Sequence, residues 1–197
     1  MTRLVQYLHS IHPLSPDLRD HLFRVLKSTE LKKKDRLLKA GEVCRQIYFV
    51  EQGLFRCSYV EHFKEVCVWF MKEDDVIVSV SSFFPQEPSY QSIHAMENSR
   101  VYSITYDELQ QIYYRFPEFN YIGRVLTEKY YYLSEERHYL LRMKTASERY
   151  DHFVRRYPDF LERLPATHIA SYLGIALETL IRIKNKKQKS DLDQAKK

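Results

Sequence analysis

The 197-residue chain has four glycines, one tryptophan and three cysteines, and no apolar run approaches the ~20 residues a membrane helix needs. No membrane partner is expected. Cys44, Cys57 and Cys67 are odd in number and form no CxxC pair, which argues against a disulfide framework or an iron–sulfur cluster and for buried, reduced thiols. The first residues lack both a long apolar core and a small-residue cleavage site, so a cytoplasmic protein is expected. The β-rich region has only His62 and His94, with no HxH beside an acid, which disfavours a cupin-like metal enzyme. No nucleophile–base pair, glycine-rich phosphate loop or paired-carboxylate motif stands out, so no catalytic residue, metal ligand or enzyme activity is expected.

What is present is unevenly distributed charge. Residues 1–140 carry 18 Lys+Arg against 19 Asp+Glu, whereas 141–197 carry 13 against 7, so the net +5 is C-terminal. A localised basic end suits a polyanion partner, although the run from Lys184 to Lys187 also reads as a solvated tail.

The texture of the chain changes three times. Leu4, Leu8, Ile11, Leu18, Leu22 and Leu26 recur at helical intervals, broken by Pro13 and Pro16, so one or two short helices open it. From Thr29 to about Thr105, β-branched and aromatic runs such as Ile47–Val50, Phe55–Val60, Val66–Met71, Val76–Val78 and Val101–Ile104 return about every ten residues, with Gly41 and Gly53 at breaks. That spacing suggests a sandwich or barrel. Helical pattern resumes at Tyr106, and from Pro117 to about Met143 no further proline occurs. There Phe119, Ile122, Leu126, Leu133 and Leu140 fit a three/four spacing on a helix about 40 Å long. Such a helix suits packing on a sister helix in a homodimer, the alternative being a helix lying on its own β-domain.

Beyond Thr145, Ile169, Ala170 and Leu173 line one short helix, Gly174 permits a sharp turn, and Ile175, Leu180 and Ile183 return an apolar face. An αα-hairpin with no DNA role has the same apolar pattern. As a helix-turn-helix, however, it exposes Glu178, Thr179 and Arg182, of which Glu can accept from cytosine N4 and Arg can fork onto guanine O6 and N7.

Ile169–Ile175 followed by Glu178–Ile183 resembles the DNA-binding signature of the cyclic-AMP receptor protein and fumarate–nitrate reduction regulator (Crp/Fnr) superfamily, and its Bacteroidetes-type branch in particular. Leu38–Glu42 and Ile47–Arg56 resemble the strands of that family's cyclic-nucleotide-binding jelly roll. The resemblance implies an α+β chain: a double-stranded β-helix sensor over 1–116, a dimerisation helix over 117–143 and a winged helix-turn-helix-like domain over 144–197. It implies double-stranded DNA as partner, a homodimer, contact with RNA polymerase, and base-reading roles for Glu178 and Arg182; with Thr167, Thr179 on the exposed face, and Lys186 and Lys187 in the basic flank, these make up the expected DNA-binding set. Leu177 stands where the cyclic-AMP receptor has a further arginine, so the operator is expected to differ.

The family's nucleotide pocket uses a Gly-Glu pair and a following Arg, but Val78–Ala95 contains neither glycine nor arginine. Burying a cyclic phosphate without a guanidinium or a nest of donors costs several kcal/mol. No cofactor is therefore expected, and no cyclic nucleotide. Ser79, Ser81, Ser82, Gln91 and His94 are candidates for a different polar effector, or simply exposed loop residues. The rival from another class is a small-molecule-binding β-roll whose C-terminal helices serve protein association.

Overall fold

The computed structural model describes residues 3–194, side chains at 143 and 188–194 excepted. Helices α1 (Arg3–Ile11) and α2 (Pro16–Val25) open it. Ser15 caps α2 by accepting from the Leu18 N–H, and Pro16 takes a first-turn position where a missing N–H costs nothing. Then come β1 (Lys27–Leu31), β2 (Arg36–Leu38), β3 (Gln46–Gln52), β4 (Phe55–Glu61), β5 (Lys64–Met71), β6 (Val76–Ile77), the one-turn α3 (Val80–Phe83), β7 (Ser92–Ala95) and β8 (Ser99–Thr105). Helices complete the chain: α4 (Tyr106–Arg115), α5 (Pro117–Met143), α6 (Ala146–Arg156), α7 (Phe160–Arg163), α8 (Ala166–Leu173) and α9 (Leu177–Gln194).

The strands form two antiparallel sheets, ordered β1-β8-β3-β6 and β2-β7-β4-β5, in a jelly-roll-like domain. Both sheets feed one apolar core that includes Phe49, Phe55, Ile77, Phe83, Ile93 and Ile104. Gly53 makes the β3–β4 turn at φ 112°, where a Cβ would lie 2.8 Å from the Ser99 Cα. Any larger residue would drive the two backbones apart there. All three cysteines are buried and unbridged, and burial pushes the Cys57 thiol up to about 12.

Chain contacts divide the protein into two compact units, Met1–Tyr130 and Tyr131–Lys197, so the boundary falls within α5. In the first unit α5 continues the core: Phe119 and Ile122 are buried in it, and Leu126 packs against it. This departs from the expectation that the apolar seam is reserved for a sister helix. Two such side chains gain ~1.5–3 kcal/mol each on burial, and the β-roll surface already supplies that at no cost in association entropy. Tyr130 closes the contact, its hydroxyl accepting from the Val76 N–H at 2.7 Å and facing the Asp75 carboxylate at 3.4 Å.

The described residues of the second unit form helices and turns but no strand, so the wing anticipated beside the helix-turn-helix is not formed there. Where the chain leaves α6, Tyr157 and Phe160 stack at 5.0 Å around Pro158, and the segment coils into α7 instead of pairing as strands. Thr145 and Glu148 form a capping box that starts α6. Arg149 then donates to the Leu141 and Lys144 carbonyls at 3.0 and 3.2 Å, satisfying acceptors left open at the end of α5.

The β4–β5 hairpin carries an unexpected local strain. Glu61 pairs with Lys64, leaving His62 and Phe63 as a two-residue loop with φ 46° and 62°. Both lie in the left-handed region that such a turn requires and that Asn-Gly fills best. Phe63 is also wholly exposed, so no packing offsets the conformation. Replacing His62→Asn together with Phe63→Gly is expected to stabilise the β-roll by about 1 kcal/mol or more. A urea midpoint for the β-rich transition that stays put or falls would contradict this.

Candidate nucleic-acid interface and effector region

The second unit builds its exposed helix from the turn outward. Gly174 ends α8 at φ 63°, ψ 41°, and the Ile175 N–H reaches back to the Ala170 carbonyl at 3.1 Å, a Schellman closure. A side chain at 174 would be strained by that backbone, although its Cβ would meet only Leu141 at 3.4 Å. Beyond the turn, Leu180 is fully buried and sets the phase of α9. Phe153, Phe160, Ile169, Ala170 and Leu173 are buried in the same unit. Arg137 lies 3.8 Å over the Tyr172 ring, a cation–π contact that ties the α5 end to α8.

With Leu180 inward, Glu178, Ile181, Arg182, Asn185 and Lys186 share the exposed face at spacings of three and four. Of the residues expected to meet DNA, Glu178, Arg182 and Lys186 are on that face, Thr179 is half-buried beside it, and Thr167 is exposed in the first turn of α8. Lys187 is turned aside: its ammonium pairs with Asp151 of α6. Sequence reasoning passed over Ile181 and Asn185, although counting three and seven residues on from Glu178 finds both.

The five effector candidates do not converge. Ser79 and Ser89 are buried with their hydroxyls 2.9 Å apart, and Ser89 in turn meets the Gln91 backbone at 3.0 Å. Gln91 accepts from the Cys57 thiol at 3.3 Å. Ser82 accepts from the Cys44 N–H at 2.8 Å and donates to the Glu87 carbonyl, so it pins α3 to the loop before β3. Ser81 is exposed. Ser79, Ser82 and Ser89 therefore act as internal braces more than as free ligand donors.

His94 is separated from them by strand alternation. Ile93 belongs to the core, so His94 projects from the opposite face of its sheet, opposite Arg56 in the β4–β7 register. Burial, reinforced by the Arg56 charge, pushes the His94 pKa down. Arg56 is itself 7% exposed and donates to Glu65 at 2.6 Å, while Ser58 donates to the same oxygen at 2.7 Å. Burial works against the Glu65 carboxylate, but these two hydrogen bonds outweigh it and lower its pKa. The Nε of Arg56 and Nδ1 of His94 are buried without a hydrogen-bond partner. Among the described residues no three His, Cys, Asp or Glu side chains gather as a metal site.

Comparison with known proteins agrees with this layout. The family model of the cyclic nucleotide-binding domain matches residues 28–115. No curated protein matches the chain by sequence. Among solved structures, FixK2 from Bradyrhizobium japonicum superposes with a TM-score of 0.72 at 18% identity, covering 85% of this chain and 86% of that one. A crp/fnr-family protein from Eubacterium rectale gives 0.72 at 16% identity over 94% and 88%. The global regulator CLP of Xanthomonas campestris gives 0.69 at 14% identity over 90% and 94%. Residues 28–115 thus match the cyclic nucleotide-binding domain family, and the chain as a whole shares the fold of these three proteins.

Proposed function

We propose that the chain is a homodimeric, sequence-specific DNA-binding transcription regulator without catalytic activity. In this reading residues 1–116 sense, 117–143 dimerise, 144–197 read DNA, and RNA polymerase is a further partner. The observation that carries it is the presented face of α9: a glutamate and an arginine four residues apart, flanked by Asn185 and Lys186, directly after a left-handed glycine turn. A second helix delivered by such a turn enters the major groove. There Glu178 accepts from cytosine, Arg182 forks onto guanine, and Lys186 and Thr167 meet phosphates. Lys187 reaches a phosphate only by leaving Asp151.

Selection of an operator from random DNA, followed by binding at two salt concentrations, tests the reading. Arg182→Ala is expected to lose about 1 to 3 kcal/mol on the operator and little on scrambled DNA. Lys186→Ala should weaken both and flatten the salt dependence, because a phosphate contact releases counterions without reading sequence. Equal losses on both DNAs for Arg182→Ala would remove it from base reading.

Dimerisation rests on side chains that the β-roll leaves unused. Tyr132 and Tyr139, seven residues apart on α5, are 65% and 53% exposed. Sevenfold spacing is that of a helix seam. Tyr132→Glu with Tyr139→Glu should convert a particle of twice the 23.8 kDa chain mass into a monomer that keeps its circular dichroism. Light scattering that finds the wild type monomeric at tens of micromolar refutes the seam.

The effector is not a cyclic nucleotide. Residues 76–98 contain no arginine, lysine or glycine, and the buried Ser79, Ser82 and Ser89 hydroxyls are already engaged. Arg56 alternates with the core residues Phe55 and Cys57 and so faces away from the core. Calorimetry is expected to detect no micromolar binding of cyclic AMP or cyclic GMP. Tight binding of either would require an anion site elsewhere in the roll.

A further inference from the structure

Among the described side chains, the presented face of α9 has a single apolar member, and its place is the informative feature. Ile181 is 46% exposed, three residues after Glu178 and immediately before Arg182, with Asn185 and Lys186 one turn on. Its neighbours Leu180 and Ile183 supply the packing of that helix, Leu180 being fully buried, so Ile181 is not needed for the unit's core. A lone exposed isoleucine elsewhere would carry no message. Here it stands between the glutamate and the arginine that the reading above assigns to bases.

In the major groove the base edges present hydrogen-bonding groups and one apolar group, the C5-methyl of thymine. Glu178, Arg182 and Asn185 each have a polar counterpart there, whereas Ile181 has only that methyl. A polar base edge opposite it would be desolvated without gaining a hydrogen bond, which makes the contact selective as well as favourable. Ile is also β-branched and stiff at χ1, so little side-chain freedom is lost on contact.

We infer that Ile181 is a specificity-determining residue that contacts a thymine C5-methyl between the bases read by Glu178 and Arg182. The inference rests on the assignment of α9 as the DNA-reading helix.

The test replaces each thymine of the selected operator, one at a time, by uracil, which removes the methyl and leaves every hydrogen-bonding group in place. At one position per half-site the wild-type protein is expected to bind the uracil form about fourfold more weakly, the worth of one buried methyl group. Ile181→Ala, folded because the position is exposed, should bind thymine and uracil forms equally there while keeping its preference at the base pair read by Arg182. An operator whose uracil forms all bind like the parent overturns the contact, as does an Ile181→Ala protein that stays fully sensitive at that position. Recovery of no preferred sequence at all would instead remove the DNA-reading role of α9, and the contact with it.

Discussion

The phase of α5 is the constraint from which much else follows. Phe119, Ile122, Leu126 and Tyr130 descend one side of the helix and are committed to the β-roll, the first two within its core and the last through its hydroxyl at β6. Burial raises the pKa of Asp75 against the opposing pull of the Lys129 and Lys72 charges, and the Tyr130 hydroxyl beside it is held protonated. Once that side is fixed, helical geometry decides what the opposite side displays. Tyr121, Arg124, Glu128 and Tyr131 are all exposed, and Arg124 pairs with Glu128 one turn along at 2.5 Å. Exposed i,i+4 pairs add only ~0.3–0.5 kcal/mol each, so it is the buried side that holds the helix in place.

This commitment also explains what could and could not be read from the sequence. The length of α5 was legible because Pro117 starts it and no proline interrupts it, and α8 and α9 were legible because Gly174 separates two apolar periodicities. Which partner takes each apolar side chain was not. Phe119 and Leu133 look alike in a heptad count, yet Phe119 belongs to the core of the first unit and Leu133 lies beyond Tyr130, in the second. Strand β1 escaped notice for a different reason. Lys27, Ser28, Thr29 and Glu30 are all exposed on an edge strand, where charge discourages stray pairing and hides the alternation that marks a half-buried strand. The fates of Ser79, Ser82 and Ser89 were equally hidden, because a serine that braces a loop and one that waits for a ligand have the same side chain.

The serine-rich stretch around α3 shows what replaces a charged pocket. A buried anion needs either a guanidinium or several convergent N–H donors. Here Ser82 binds the Cys44 N–H itself, so a backbone donor in this part of the roll is consumed by a side chain. The Cys57 thiol points at Gln91 with its pKa raised by burial, which keeps it a neutral donor and unsuited to redox chemistry. Neutral, mutually satisfied groups of this kind tolerate a neutral polar molecule better than a phosphate. Meanwhile the buried guanidinium of Arg56, on the other face of the sheet that carries Cys57, pairs with the exposed Glu65, and removing Glu65 would strand a buried charge at a cost of several kcal/mol.

Charge on the presented face of α9 is restrained in the same manner. Lys187 is neutralised by Asp151, and Glu178 places an acid at the start of α9, where it also favours the helix dipole. Each reduces the attraction of this face for an arbitrary duplex, since non-specific affinity scales with the phosphates neutralised. Glu178 does so in a discriminating way: opposite a cytosine amino group its desolvation is compensated, and opposite a carbonyl acceptor it is repelled. A face built only of lysines would bind more tightly everywhere and read nothing. In the proposed DNA-reading role, exchanging part of that attraction for an acid, an arginine and an isoleucine would shift affinity from the backbone to the base edges, which is the physical requirement for finding one site among many.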